Sequence, residues 1–545
     1  MLQITTIHTR LIRLVYLLLV AILIVSVLLS LTHHGVASAV PAIQATKTDT
    51  LQVDADNNGQ VSPGDTLRYT VIISNTGNQD ATNAVFNDTI DSNTAFVAGS
   101  LRSTPLARND SGYSTVGNVQ LTVPVGSSVL NNDSDPDGTG GLTVTSFSAA
   151  SANSGSVSVA ANGSFTYNPP PGFSGTDTFT YTVNDGEGNT NAATVSISVG
   201  QVVWFINNAV GGPGDGRFTT PFNSVANFNV LAADDPGDYI FVYQGAGAYS
   251  GAFILLSNQQ LIGHGVGLTL APNLSIAAAA RPTIGNVTLG AGNTVRGLNV
   301  SVSSGTGISG ASVGALTITN VSVTNSAGVG VSLSGGTSSM AVTFDSVSSS
   351  GGANGILLTN NSGSFTSNGG TIDPTTGHGI QVSNTGVGPL NFTLQNSTVT
   401  GAPASFNGVN FDIPTSGSFG TLTVKNNTIS NNGSTGLRAN IQGTGSIAKI
   451  EVASNTFTGN DIGVDLATNG TANVKFDIHN NPTMTGTRTQ VNLAANDAVH
   501  NNGVGPTMEG YIRNNTITTS PTGNTFIAVW VVSDGDGNIT TDINN

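Results

Sequence analysis

Cysteine is absent from the 545 residues, which removes disulfide staples and thiolate chemistry and leaves the compartment undecided by any redox consideration. Charge is scarce, at 8% of the chain, and unbalanced: 15 Lys and Arg against 30 Asp and Glu give a formal charge of −15. Such a deficit of cations speaks against nucleic acid, whose phosphates must be neutralised by basic side chains. Glutamate occurs only at Glu187, Glu451 and Glu509, so nearly all the acid is Asp, a short carboxylate suited to turns and to Ca²⁺ ligation. Few Glu and Lys also means few helix formers, and no ten-residue stretch of the chain past the N-terminus carries an amphipathic helical period. Helical repeats are thereby excluded. The composition is that of an extracellular all-β protein.

What is plentiful is Gly, Asn, Ser, Thr and Val, and from about 287 to 530 these residues repeat. The landmark is a Gly followed by an aliphatic residue that opens a short strand: Gly307 and Ile308, Gly330 and Val331, Gly355 and Ile356, Gly379 and Ile380, Gly408 and Val409, Gly436 and Leu437, Gly463 and Val464. A period of roughly 20 to 50 residues means a solenoid. Short period-2 strands broken by Asn, Gly and Ser turns make it a parallel β-helix of about ten coils, since one rung cannot bury its inner face alone. Asn pairs such as Asn426 and Asn427, or Asn514 and Asn515, read as stacked turn residues, because Asn tolerates the left-handed region and can hydrogen-bond along a stack.

The N-terminus reads as an export signal. Arg10 and Arg13 precede an apolar run from Leu14 to Leu31, and Ala37, Ser38 and Ala39 supply a small-x-small cleavage site. The run is long enough for a retained membrane anchor as the alternative. Either way, the chain beyond Ala39 is expected outside the cytoplasm, with the membrane touched only through this segment.

Residues 42–105 carry strand patterns at β-sandwich spacing. Their entry loop sets Asp54, Asp56, Asn58 and Asp65 at positions 1, 3, 5 and 12 around Gly59 at position 6, the spacing of an EF-hand loop without its helices. These four are candidate Ca²⁺ ligands. An Asx-turn loop without metal is the alternative. The segment resembles the bacterial surface β-sandwich DUF11, through Pro63, Gly64, Asp65 and Thr66, a Tyr-containing strand, and Asn75, Thr76 and Gly77; the resemblance implies a spacer module and brings no catalytic residue.

Residues 106–200 form a second module. Leu130 to Gly138 (Asp133, Asp135 and Asp137 alternating into a Pro-Asp-Gly turn) and the alternating Phe173, Phe179 and Tyr181 are similar to the cadherin-like bacterial tandem-repeat domain. Asp133, Asp135 and Asp137 are candidate Ca²⁺ ligands, with Asp110 or Asp185 as a further one, while Phe165, Tyr167, Phe173, Phe179 and Tyr181 are expected in the core.

Residues 201–286 are expected to cap the solenoid and form its first coils, with Trp204, Phe205, Phe218 and Phe222 covering the end. This cap and the coils 287–530 resemble the pectin-lyase-like right-handed β-helix of large bacterial surface proteins. The expected fold is thus all-β: a right-handed parallel β-helix preceded by two small β-sandwich modules and an N-terminal signal or anchor helix, with 531–545 as an acidic polar tail. Function divides into two readings. The first is a non-catalytic extracellular or cell-surface rod, adhesin-like, whose partners are extracellular glycans or cell-surface components. The second is a polysaccharide lyase or glycoside hydrolase, which needs an acid and base close together. The best catalytic candidates are Asp461, Asp465, Asp477 and His479, with Arg438 or Lys475 beside them. His264, His378 and His500 are expected in turns or at the surface.

Overall fold

A computed structural model describes residues 41–545 except 80, 82–83, 139, 336–338, 375, 386–387, 415, 497–504, 519–526, 535 and 545. The expected signal segment and His500 lie outside the described residues. Among those described, no helix is long and apolar enough to cross a membrane. The chain divides into two compact units, Met1–Leu101 and Arg102–Asn545.

In the first unit the strands Ile43–Val53 and Thr66–Asn75 pair antiparallel, joined by the Asp54 to Asp65 loop. The expected sandwich is not seen: residues 84–101 form no ladder among the described residues, and Tyr69, Ile72, Val85, Phe86, Phe96 and Val97 are exposed. A second layer is what would bury such side chains.

The second unit opens with a β-sandwich. One sheet contains Thr143–Phe147, Gly175–Asn184, Thr190–Ile206 and Asp110–Gly117; the other contains Leu121–Val123, Phe165–Asn168 and Ser156–Val159. Alternation puts Phe165, Tyr167, Phe179, Tyr181, Val195 and Ile197 between the layers, with Phe173 at the margin.

The strand Thr190–Ile206 does not stop at the edge of the sandwich. Its last four residues, 203–206, pair in parallel with Tyr239–Val242 and so become the first rung of the solenoid. Val202, Trp204 and Ile206 point into the solenoid core. Val203 and Phe205 point outward, where Val116 and Val119 of the sandwich cover them. Asn118, at a left-handed φ of 66°, ties the junction by donating to the Val203 carbonyl and accepting from the Gly172 amide. Trp204 stacks on Phe222 at 6.1 Å, and Phe205 meets Phe218 edge-on at 5.3 Å, so the four expected cap aromatics act on both faces of one strand.

Each coil of the solenoid contributes to three parallel sheets. The first includes Tyr239–Val242 and Gln260–Gly263 and continues through Leu390–Gln395, Ser418–Lys425, Ser446–Ala453, Asn473–His479, Thr507–Arg513 and Asn538–Asn544. The second runs through Gly370–Asp373, Ser397–Thr400 and Thr428–Ser430. The third stacks the Gly-aliphatic landmarks in register, Ile308, Val331, Ile356, Ile380, Val409, Leu437 and Val464, and continues to Val491. Of the segment read as a polar tail, 531–534 and 538–544 instead supply strand to the third and first sheets, in Ile527–Asp534 and Asn538–Asn544. Val529 and Ile539 pack partly against the solenoid core, whereas Val531, Val532 and Ile543 are exposed.

The turn between first and second sheets explains the Asn pairs. Asn426, Ser454, Asn480 and Asn514 take φ of 53–57°, and the following Asn427, Asn455, Asn481 and Asn515 are buried in a ladder. Asn455 donates to the Val424 carbonyl at 2.8 Å, and its side-chain oxygen accepts from the Asn427 amide and side chain at 3.0 and 2.9 Å.

Candidate functional site

The four catalytic candidates do not converge. Asp465 lies in Thr456–Asn469 on the third sheet, in register with Arg438 and Asn492. Asp477 lies in Asn473–His479 on the first sheet, in register with Glu451 and Tyr511. Residues 469–472 turn the chain from one sheet to the other, so outward side chains at 465 and 477 leave different faces of the solenoid.

On the first sheet, Arg513 grips Asp477 with two bonds, Nε to Oδ1 at 3.1 Å and Nη2 to Oδ2 at 2.7 Å. Burial pushes the Asp477 carboxyl up, but the Arg513 fork with His479 and Lys449 nearby holds it below the usual range. His479 Nε2 stands 3.6 Å from Glu451 and 3.9 Å from Asp477, and Lys449 is 3.7 Å from Glu451. Lys475 projects from the same strand, exposed. An ionised, doubly bonded Asp477 is not a proton donor at neutral pH.

On the third sheet, an outward row runs one side chain per coil: Gln381, Asn410, Arg438, Asp465, Asn492 and Trp530. Asn410 donates to Gln381 at 2.8 Å, and Asn492 donates to Asp465 at 2.7 Å. Burial pushes the Asp465 carboxyl up, against the pull of Asn492, Arg438 and Arg488. Arg438 Nε stands 3.5 Å from Asp465 without a hydrogen bond, so among the described residues the guanidinium is held to Asp465 by charge alone. Trp530, 47% exposed, ends the row. Asp461 sits at the adjoining corner, paired with Arg488 at 2.9 Å and accepting from Thr487 at 2.9 Å. His378 accepts the Asn407 amide at 2.9 Å and packs edge-on against Phe406, while His264 opens a single 3₁₀ turn.

Sequence reasoning missed Glu451, Arg513, Asn492 and Trp530. The signal for Asn492 was present, since 438, 465 and 492 share one spacing, the length of a coil. Arg513 was hidden by the longer coil that precedes it.

The metal candidates also separate. Asp54, Asp56 and Asp65 each offer an oxygen within 4.8 Å of the others. The loop holds them by backbone donors: Gly59 and Asn58 to Asp54, Ala55 and Ser62 to Asp65. Both Asp54 oxygens, Asp56 Oδ1 and Asp65 Oδ1 accept one bond each and keep a lone pair for a hard cation, whereas Asp56 Oδ2 accepts from Asn58 and Ser62, and Asp65 Oδ2 accepts twice from Ser62. Asn58 spends its side-chain oxygen on the Gln60 amide. Asp133 takes different partners from Asp135 and Asp137, which both meet Ser103. Asp133 accepts from Arg108 and Tyr181, Asp137 from the Ser103 amide, and Asp135 faces Ser103 Oγ. Asp185 is occupied by the Glu187 and Asn189 amides.

A family model described as a bacterial Ig domain matches residues 102–198, which assigns the sandwich of the second unit. No curated protein matches the chain. Among solved structures, the chain is similar to a family 28 exopolygalacturonase from Yersinia enterocolitica, at 13% identity over 70% of this chain and 85% of that one, with a TM-score of 0.24. A superposition that loose adds nothing to the strand ladder above.

Proposed function

We propose that this chain is an exported, adhesin-like solenoid that binds glycans without cleaving them, through the outward row on its third sheet. The observation that carries this reading is Arg438. Its free guanidinium donors sit amid the amides of Asn410 and Asn492, beside Asp465 and in line with the exposed Trp530. A sugar presents hydroxyls to such donors and acceptors and an apolar face to an indole. Separation of Asp465 from Asp477 favours binding over hydrolysis, because both carboxyl groups of a glycosidase flank one bond, about 5–9.5 Å apart. Ca²⁺ held by Asp54, Asp56 and Asp65 would rigidify the first unit's loop.

Glycan-array screening of the full chain, followed by titration with each hit, tests the proposal. Arg438→Gln is expected to weaken binding roughly tenfold or more, as the loss of ~1.5–3 kcal/mol of charge-assisted hydrogen bonding implies. Binding that survives both Arg438→Gln and Trp530→Ala unchanged would move the site off this row, and release of reducing ends from any bound polysaccharide would overturn the non-catalytic reading.

A further inference from the structure

The second sheet of the solenoid, between the acidic cluster of the first and the mixed row of the third, presents hydroxyls only. Five successive coils cross it as Thr398-Val399-Thr400, Thr428-Ile429-Ser430, Thr456-Phe457-Thr458, Thr483-Met484-Thr485 and Thr516-Ile517-Thr518. Val399, Ile429, Phe457 and Met484 point into the core and are buried, so the residues on either side of each point outward. The coils are in register here. Thr398 pairs with Thr428, Thr428 with Thr456 and Thr456 with Thr483, and Met484 bridges to Ile517. Two columns of hydroxyls therefore run side by side along the solenoid.

Two features set this face apart. Its hydroxyls are unspent: apart from Ser430 and Thr400, 3.5 Å apart, none of the ten bonds to protein among the described residues. It is also free of charge and of aromatic rings, since every outward residue of the five coils is Thr or Ser. The fold fixes the spacing. Neighbouring coils stand about 4.8 Å apart, and residues i and i+2 of a strand about 6.6 Å, so the hydroxyls occupy a nearly rectangular lattice. Branching at Cβ stiffens the Thr side chains, and each holds a methyl beside its hydroxyl.

A lattice that repeats in two directions is complementary to a ligand that does the same. A single sugar chain repeats in one direction and offers its apolar face to a ring, which this sheet lacks. Water oxygens on a prism face of hexagonal ice recur in two perpendicular directions at closely similar intervals. A hydroxyl donates and accepts as water does, and a methyl restricts the orientation of the water around it. We propose that the second sheet is an ice-binding face, on which the Thr and Ser hydroxyls join the outermost water layer of the crystal and the methyls fill its hollows. This face is separate from the row on the third sheet, and the proposal is independent of the glycan reading.

The test seeds a small ice crystal in a solution of the full chain, follows its shape and its melting and freezing temperatures, and adds a recrystallisation assay. A faceted crystal that freezes below its melting temperature is expected. Thr428→Tyr combined with Thr456→Tyr sets two rings in the middle of the lattice and should abolish the gap, and Thr456→Val, which keeps the shape and loses the hydroxyl, should narrow it. Glu509→Tyr, of equal bulk but exposed on the first sheet, should leave it unchanged. All these side chains point outward, and far-UV circular dichroism with thermal melting confirms that each variant folds like the parent. A folded parent that neither shapes ice nor delays freezing would overturn the proposal, as would equal activity in the Thr428 and Thr456 double variant. Adsorption of the parent to crystalline cellulose or chitin without any effect on ice would overturn it in favour of a polysaccharide surface.

Discussion

Single asparagines carry much of the solenoid's definition. Asn455 is fully buried, and its amide serves the coil before and the coil after. Asn455→Ala leaves the Val424 carbonyl and the Asn427 donors without partners, so a loss of about 2–4 kcal/mol is expected from the ~1–3 kcal/mol that each stranded buried group costs. Urea unfolding measures it. A change under about 0.5 kcal/mol would mean that water replaces the side chain. Asp110 makes a second prediction, of opposite kind. Burial, opposed by Tyr181 and reinforced by Asp133, pushes its carboxyl up to about 6, above its unfolded value of about 3.9. A raised folded value means that ionisation opposes folding, so the penalty is complete above pH 6–7 and is relieved as the pH falls through about 6 toward 4. Asp234, pushed up to about 6 by burial and by Asp238, acts in the same direction. Metal-free protein should therefore melt at higher temperature at pH 5 than at pH 7.5, with about 1.4 kcal/mol of added stability from Asp110, roughly half of the full penalty. Asp477 and Asp215, held low, lose their contribution only below about pH 4, so they do not mask the effect. A melting temperature that falls between pH 7.5 and 5 would contradict it.

Strands and their stacking form the next scale. Inside the solenoid Phe365 and Phe392 stack at 5.5 Å with ring planes 3° apart, and Phe411 and Phe419 extend the column edge-on. Phe392 touches both Phe365 and Phe411, so Phe392→Ala empties the middle of the column at a cost of about 3–5 kcal/mol. Equilibrium denaturation of the variant checks this, and Phe392→Leu should recover most of the loss. Legibility differs sharply between the inner and outer faces of these strands. The Gly-aliphatic pairs stack in register as their spacing suggests, because inward aliphatic residues must follow each other coil by coil. Outward residues obey no such rule. Asp461 sits at a corner and Asp465 on the third sheet, yet Asp477, only twelve positions beyond Asp465, is on the first sheet, because another corner intervenes.

At the scale of the second unit, the Ig module and the solenoid share a strand and a core. Val203, Phe205, Phe241, Ile262, Leu268 and Leu274 pack with Val116 and Val119 of the sandwich. Removing residues 102–199 uncovers that apolar face and the first solenoid strand. Residues 200–545 alone should be insoluble or associate, which size-exclusion chromatography with light scattering detects; a soluble monomer would make the Ig module a mere spacer. The sequence by itself determined the all-β class, the solenoid period, the asparagine turns and the sandwich core, because each rests on a local alternation or a repeat that has one physical solution. Tertiary structure alone decided which polar side chains meet. It split the acidic candidates between two sheets, brought Glu451, His479 and Arg513 to Asp477, gave Asp133 and Asp137 different partners and buried Asp110. Such meetings depend on coil lengths and corner turns, and a change of a few residues in one corner redirects a side chain without altering the pattern that folds the strand.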